Sequence, residues 1–131
     1  MTNNYLLDTN IVIEWFAGGP SQKHVESLLK GPAGETLFYI SFITVFEFLI
    51  KADTKSETRF LNIIDSNEWT VLYFDDIREL KLASRIRKDV GLSIPDAIIL
   101  SSAKLLKATL LTRDKDLHKK GRGFCNITLL D

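Results

Sequence analysis

Tyr5-Leu6-Leu7-Asp8-Thr9-Asn10 runs three apolar residues into a carboxylate and two small polar residues, and Ile11-Val12-Ile13 follows at once. This is the pattern of a short buried strand that ends at a turn and hands over to a helix. In a sheet covered on both faces, ligands gather in the crevice beyond the carboxyl ends of the strands, and Asp8 falls there. Asp8 or Thr9 also suits a plain helix N-cap. The stretch alone leaves both readings open, and the other carboxylates of the chain must decide.

Outward from this stretch, strands and helices alternate. A short helix over 11–16 stops at Gly18-Gly19-Pro20, and a second, capped by Ser21, runs to about Lys30 with Val25, Leu28 and Leu29 inward. Gly31-Pro32-Ala33-Gly34 breaks it, and Leu37–Ile40 reads as the second strand. Ser41 opens a helix to about Ala52 that is apolar nearly all round, with Ser41, Thr44, Glu47 and Lys51 tracing its one polar stripe. That stripe is either a thin solvated face carrying a Glu47–Lys51 pair or a carboxylate lining a pocket. A helix over 57–67 turns Phe60, Leu61 and Ile64 inward, and Trp69–Phe74 is the third strand. Asp76 and Glu79 have capping-box spacing and open an amphipathic helix with Ile77, Leu80, Ala83, Ile86 and Val90 apolar, ended by Gly91. Ser93-Ile94-Pro95-Asp96-Ala97 starts a further helix with a first-turn proline and a first-turn acid. Thr109–Thr112 is a fourth strand ending in the polar turn Arg113-Asp114-Lys115-Asp116, and Asn126–Leu130 is the last. The alternation implies right-handed crossovers and a mostly parallel α/β sheet.

At 131 residues and 45% hydrophobic content the chain is the size of one domain with an ordinary core. Lys+Arg and Asp+Glu both number 17, so bulk attraction to nucleic acid is not the theme and any such binding must come from local patches. A single cysteine, Cys125, allows no disulfide within the chain and suits a reduced compartment. No basic segment leads into an apolar core at the N-terminus, so no signal peptide is expected. No apolar run approaches the ~18 residues of a membrane span.

Asp8 and Asp114 end strands and Asp96 begins a helix, so in an open parallel sheet all three belong to one rim. Glu47 reaches that rim if its stripe faces inward. Two unit charges ~4 Å apart repel by roughly 4 kcal/mol at an effective dielectric near 20, so such a cluster needs shared protons or a cation. Oxygen ligands without Cys or His select Mg²⁺ or Mn²⁺ over Zn²⁺. His24 and His118 have no ligand spacing, and neither a Gly-rich phosphate loop nor a G-x-S-x-G elbow is present. Acid-bound Mg²⁺ in such a crevice suits phosphoryl chemistry.

With these motifs in order, the chain resembles a PIN domain, specifically the small stand-alone ribonuclease toxins of VapC type. The resemblance rests on Leu6-Leu7-Asp8-Thr9-Asn10, Ser41 to Leu49 with Glu47, Ile94-Pro95-Asp96-Ala97, and Leu110-Leu111-Thr112-Arg113-Asp114-Lys115-Asp116. It implies a single PIN-like domain over residues 1–131, with a five-stranded, mostly parallel sheet and helices on both faces. It implies catalytic, metal-binding acids at Asp8, Glu47, Asp96 and Asp114 for one or two Mg²⁺ or Mn²⁺ ions, with Asn10 and Thr112 ordering the site. Asp116 matches a further acid that only some members use, and Leu117 stands where the family usually has an aromatic residue.

The implied activity is metal-dependent endonucleolytic cleavage of RNA, leaving 5′-phosphate and 3′-hydroxyl ends. The implied partners are a cognate antitoxin and a second copy of the chain, in the cytoplasm and away from membranes. Arg113 and Lys115 beside the cluster, with Lys104, Lys107, Lys119, Lys120 and Arg122, are the candidate RNA contacts. From Lys104 onward seven Lys/Arg face three acids, which reads as positive charge gathered at the site or as ordinary solubilising charge. A PIN module that binds RNA without cutting it and a magnesium-dependent phosphatase of small substrates are the alternatives. A signalling receiver domain fits poorly, for it needs paired acids after the first strand.

Overall fold

Leu6 and Leu7 are both fully buried, yet they point to opposite faces of a strand and enter different cores. That single fact requires helices on both sides of the sheet. The computed structural model describes residues 3–29 and 36–130. In chain order it contains β1 (Asn3–Leu7), α1 (Thr9–Ala17), α2 (Pro20–Leu29), β2 (Thr36–Ser41), α3 (Phe42–Lys51), α4 (Thr54–Asp65), β3 (Trp69–Leu72), α5 (Ile77–Val90), α6 (Ile94–Leu106), β4 (Thr109–Thr112), α7 (Lys115–Gly121) and β5 (Ile127–Leu129).

The five strands form one sheet in the order β3-β2-β1-β4-β5, and every pairing is parallel. The chain builds outward from β1 to β3 on one side, then returns to add β4 and β5 on the other. The order therefore reverses between β1 and β4, which makes the crevice above their carboxyl ends the switch point of the sheet.

One core joins Leu7, Leu111, Ile40 and Trp69 of the sheet to Ile11, Val25, Phe48 and Phe60 from α1 to α4. Phe48 and Phe60 stack with ring centres 4.3 Å apart, and Phe16 closes on Phe48 at 5.0 Å, so aromatic contacts lock α1, α3 and α4 together. The other core joins Leu6 and Leu110 to Ile86, Ile99, Leu100 and Leu117 from α5 to α7. Among the described residues no helix is long and apolar enough to cross a membrane.

Several boundaries depart from the sequence reading. The polar turn read over Arg113–Asp116 leads into a helix the sequence reading did not foresee, Lys115–Gly121, capped by Asp114. The third strand stops at Leu72, two residues before Phe74, and α4 begins at Thr54 instead of 57. Leu61, expected inward, is exposed. On α5 the expected core stripe holds at Ala83, Ile86 and, partly buried, Val90, while Ile77 is 68% exposed and Leu80 is exposed as well. The expected inward faces of Leu28 and Leu29, the helix end at Lys30 and the break at 31–34 lie outside the described side chains and residues.

Candidate active site

The site begins where β1 ends. Asp8 keeps extended backbone, with φ −68° and ψ 157°, and its N–H donates to the Leu111 carbonyl of β4 at 2.9 Å. Its carboxylate then faces two donors. Oδ1 accepts the Thr9 N–H at 2.8 Å and Oδ2 accepts the Thr112 hydroxyl at 2.6 Å. The Thr112 oxygen in turn accepts the Asp114 N–H at 3.0 Å. A relay of two hydrogen bonds thus ties the acid after β4 to the acid after β1.

Asp8 is only 4% exposed. Burial pushes its pKa up to about 6, against the Thr112 and Thr9 hydrogen bonds that favour the anion, and the charges of Asp96 and Asp114 add to the rise. Asp96 stands in the first turn of α6, half-buried, behind an N-cap made by the Ser93 hydroxyl. Its pKa is also raised, by burial first and then by the charges of Asp114, Glu47 and Asp116. The acids whose charges act on Asp8 and Asp96 therefore lie in one electrostatic field. Asp8, Glu47, Asp96 and Asp114 come from four separate elements and meet at the switch point.

Glu47 does not turn to Lys51. Its Oε1 accepts the Thr9 hydroxyl at 2.8 Å, and Thr9 in turn lies 2.9 Å from the hydroxyl of buried Thr44. The polar stripe of α3 therefore faces α1 and the rim. Asp114 caps α7, with Oδ1 accepting the amides of Asp116 and Leu117. Asp116 is exposed and pairs with Lys120 at 3.2 Å. Asn10 accepts the Arg113 amide at 3.3 Å, which fixes the turn after β4 against α1.

The basic residues named as candidate contacts divide between the acids and a separate part of the molecule. Arg113 is occupied by Glu14 at 2.5 Å. Lys115 and Lys119 are exposed on α7. Lys104 and Lys107 close the far end of α6, and with Arg122 they line a separate concavity with Ala108 and Asn126, at the amino-terminal ends of β4 and β5. Three of the seven basic residues from Lys104 onward thus stand at the edge opposite the acids. Sequence periodicity could not show this, because it depends on α6 and α7 both running from one rim to the other.

The profile of a known family matches residues 5–123, and its description is PIN domain. The chain belongs to the PIN domain family. Solved PIN-like structures overlay on nearly its whole length. A chain of a toxin–antitoxin complex from Klebsiella pneumoniae aligns with TM-score 0.75 and 26% identity, covering 95% of each chain. A chain of VapBC2 from Rickettsia felis, solved bound to a DNA fragment from its promoter, aligns with TM-score 0.75 and 21% identity, covering 98% of this chain and 99% of that one. VapBC-1 from nontypeable Haemophilus influenzae gives TM-score 0.68 and 23% identity over 96% and 97% of the two chains. Comparison with curated proteins returns no significant match.

In this PIN domain the participants that the sequence reading undervalued are Thr9 and Thr44. Thr9 was readable only as a possible cap. Its bond to Glu47 spans 38 positions and depends on how α1 packs on α3. The donor set suits a hard divalent cation, since every acid offers oxygen and Asp8 and Asp96 carry an electrostatic cost that a cation would relieve. Among the described residues, no three such groups already stand at closed ligand spacing. Asp8, Glu47 and Asp114 are each held by hydrogen bonds of their own.

Proposed function

We propose that this PIN domain is a divalent-metal-dependent endoribonuclease and the toxin of a toxin–antitoxin pair. The convergence of four carboxylates on the switch point carries the reading. Asp8 also caps α1, but capping does not call for burial beside Asp96 and Asp114, at a cost in its own ionisation. The likeness to chains from toxin–antitoxin complexes supports the biological setting.

Asp8, Glu47, Asp96 and Asp114 would hold Mg²⁺ or Mn²⁺. A hard divalent cation bound there supplies a water of lowered pKa and offsets the charge that builds on a phosphodiester undergoing in-line attack. Thr112 holds the Asp8 carboxylate in place by donating to Oδ2, and Thr9 holds Glu47 in the same way. Asn10 fixes the turn that presents Asp114. Lys115, next to Asp114 and exposed, is the basic residue best placed to meet a phosphate flanking the cut, while Arg113 is drawn back to Glu14. Asp116 is a further oxygen ligand only if it leaves Lys120.

The partners proposed are RNA as substrate, a cognate antitoxin that covers the acidic pocket, and a second copy of the chain. Phe46 and Ile50, one turn apart on α3 and both exposed, are consistent with such contacts. The place of action would be the cytoplasm. The test compares wild type with Asp8→Asn and Asp96→Asn on total RNA plus Mg²⁺. Wild type should cut internally and both variants should lose at least a hundredfold in rate. Equal cleavage by all three would refute the assignment, and release of phosphate from nucleotides without internal cuts would favour a phosphatase. In cells, expression of the chain alone should slow growth, and co-expression of the adjacent reading frame should relieve it.

A further inference from the structure

Lys104, Lys107 and Arg122 converge on a concavity of about 460 Å³ together with Gly123, Phe124, Cys125 and Asn126. It lies at the amino-terminal ends of β4 and β5, whereas Asp114 follows the carboxyl end of β4. The four residues of β4 span roughly 13 Å at ~3.3 Å per residue, so this basic hollow and the acidic pocket face opposite edges of the sheet. No carboxylate lines the hollow, and none of its three cations is ion-paired among the described residues. Lys104 and Lys107 also meet the negative end of the α6 dipole. That accounts for neither Arg122, which comes from the end of α7, nor the convergence of all three on one concavity. Cys125 is no rival explanation, since burial pushes its thiol up to about 11 and keeps it protonated.

The two sites are joined by α7. Lys115, Lys119 and Arg122 stand at i, i+4 and i+7 and are all exposed, so one cationic stripe runs from the acidic rim to the hollow. We propose that the hollow is a second phosphate-binding site, which takes backbone phosphates of a single-stranded RNA a few nucleotides away from the bond that the acids would cut. Arg122 and the two lysines hold the phosphate, Phe124 offers an aromatic surface for a base, and the α7 stripe carries the strand between the sites. The inference rests on the RNA reading above and adds to it the direction of the strand across the molecule.

The test reads binding without cutting, on the full chain with Asp96→Asn throughout so that the RNA persists. Fluorescence anisotropy with 4- and 12-nucleotide single-stranded RNAs is measured from 50 to 300 mM salt. Each phosphate contact on a single strand adds about 0.7 to the slope of log affinity on log salt. The 12-mer should therefore show a steeper slope than the 4-mer. The triple change Lys104→Gln, Lys107→Asn and Arg122→Gln should lower the 12-mer slope by about 2. Asn is chosen at 107 because that residue has φ 57°, which Asn tolerates. A comparison triple on α5, Lys81→Gln, Arg85→Gln and Lys88→Gln, removes the same charge and should leave the slope unchanged. If the first triple fails to fold by circular dichroism, Arg122→Gln alone should lower the slope by about 0.7. An unchanged slope, or equal loss from both triples, overturns the site. Failure of the wild type to cut RNA would instead overturn the enzyme reading and leave this binding result standing.

Discussion

Asp8 shows how far one residue can be pushed by its position. Its carboxyl is buried in the fold and free in the unfolded chain, so its pKa falls from about 6 to the ordinary 3.8 on unfolding. A native pKa above the unfolded one means that the native state holds the proton more tightly. This group's contribution is therefore fully present below about pH 4 and is lost as pH rises through 6. Asp8→Asn keeps one acceptor oxygen for the Thr9 amide, turns an N–H toward the Thr112 hydroxyl oxygen, and cannot ionise. In EDTA at pH 7.5 it should unfold at higher temperature than wild type, by up to about 3 kcal/mol, and the gap should close by pH 4. A gap that stays constant across that range would show that Asp8 is not perturbed in this way. Thr112→Val tests the neighbouring bond. It leaves the Asp8 carboxylate without its hydroxyl donor and the Asp114 amide without its acceptor, so it should cost about 1–3 kcal/mol in chemical denaturation, with Thr112→Ser close to wild type. Asp8, Asp96 and Asp114 were legible because each sits at a strand end or a helix start on one rim of the sheet, whereas Glu47, in the middle of α3, read equally well as part of a solvated face. Thr9 was not, because its partner Glu47 is brought to it by packing.

At the scale of elements, α7 and α5 failed the sequence reading for different reasons. Lys115–Gly121 buries only Leu117 and Gly121, so it has no apolar period to read. Its existence depends on the cap at Asp114 and on the core beneath it. Gly121 touches that core closely. A Cβ there would come 2.9 Å from the Ile127 Cδ1 and 3.0 Å from the Leu100 Cδ1. Gly121→Ala should therefore cost about 1–2 kcal/mol by thermal unfolding, and a neutral result would mean that both side chains step aside freely. In α5 the apolar stripe was real, but a stripe does not state the length of its partner. The helix packs chiefly on α6, which covers Ala83 and Ile86 and leaves Ile77 and Leu80 in the open. By contrast β1, β2 and β4 were legible almost to the residue, since runs such as Leu110-Leu111 buried on both faces have few other readings.

For the whole molecule, equal numbers of acids and bases concealed a group of three cations at the sheet edge opposite the acids, which only the topology reveals. The acidic edge makes a prediction that needs no substrate. Mn²⁺ or Mg²⁺ should raise the melting temperature of the wild type, with a gain of about 2.7 kcal/mol at a hundred times the dissociation constant, and Asp8→Asn or Asp96→Asn should blunt the rise. An equal response in all three, followed by differential scanning fluorimetry, would place the ion elsewhere. The strand order has a further consequence. Asp8 and the Thr112 that holds it lie 104 positions apart, and β1 takes β4 as its second neighbour. Until β4 docks beside β1, Asp8 has neither its hydroxyl donor nor the Leu111 carbonyl that fixes its backbone. Order at the rim is therefore a late product of folding, gained only when the two central strands close on each other.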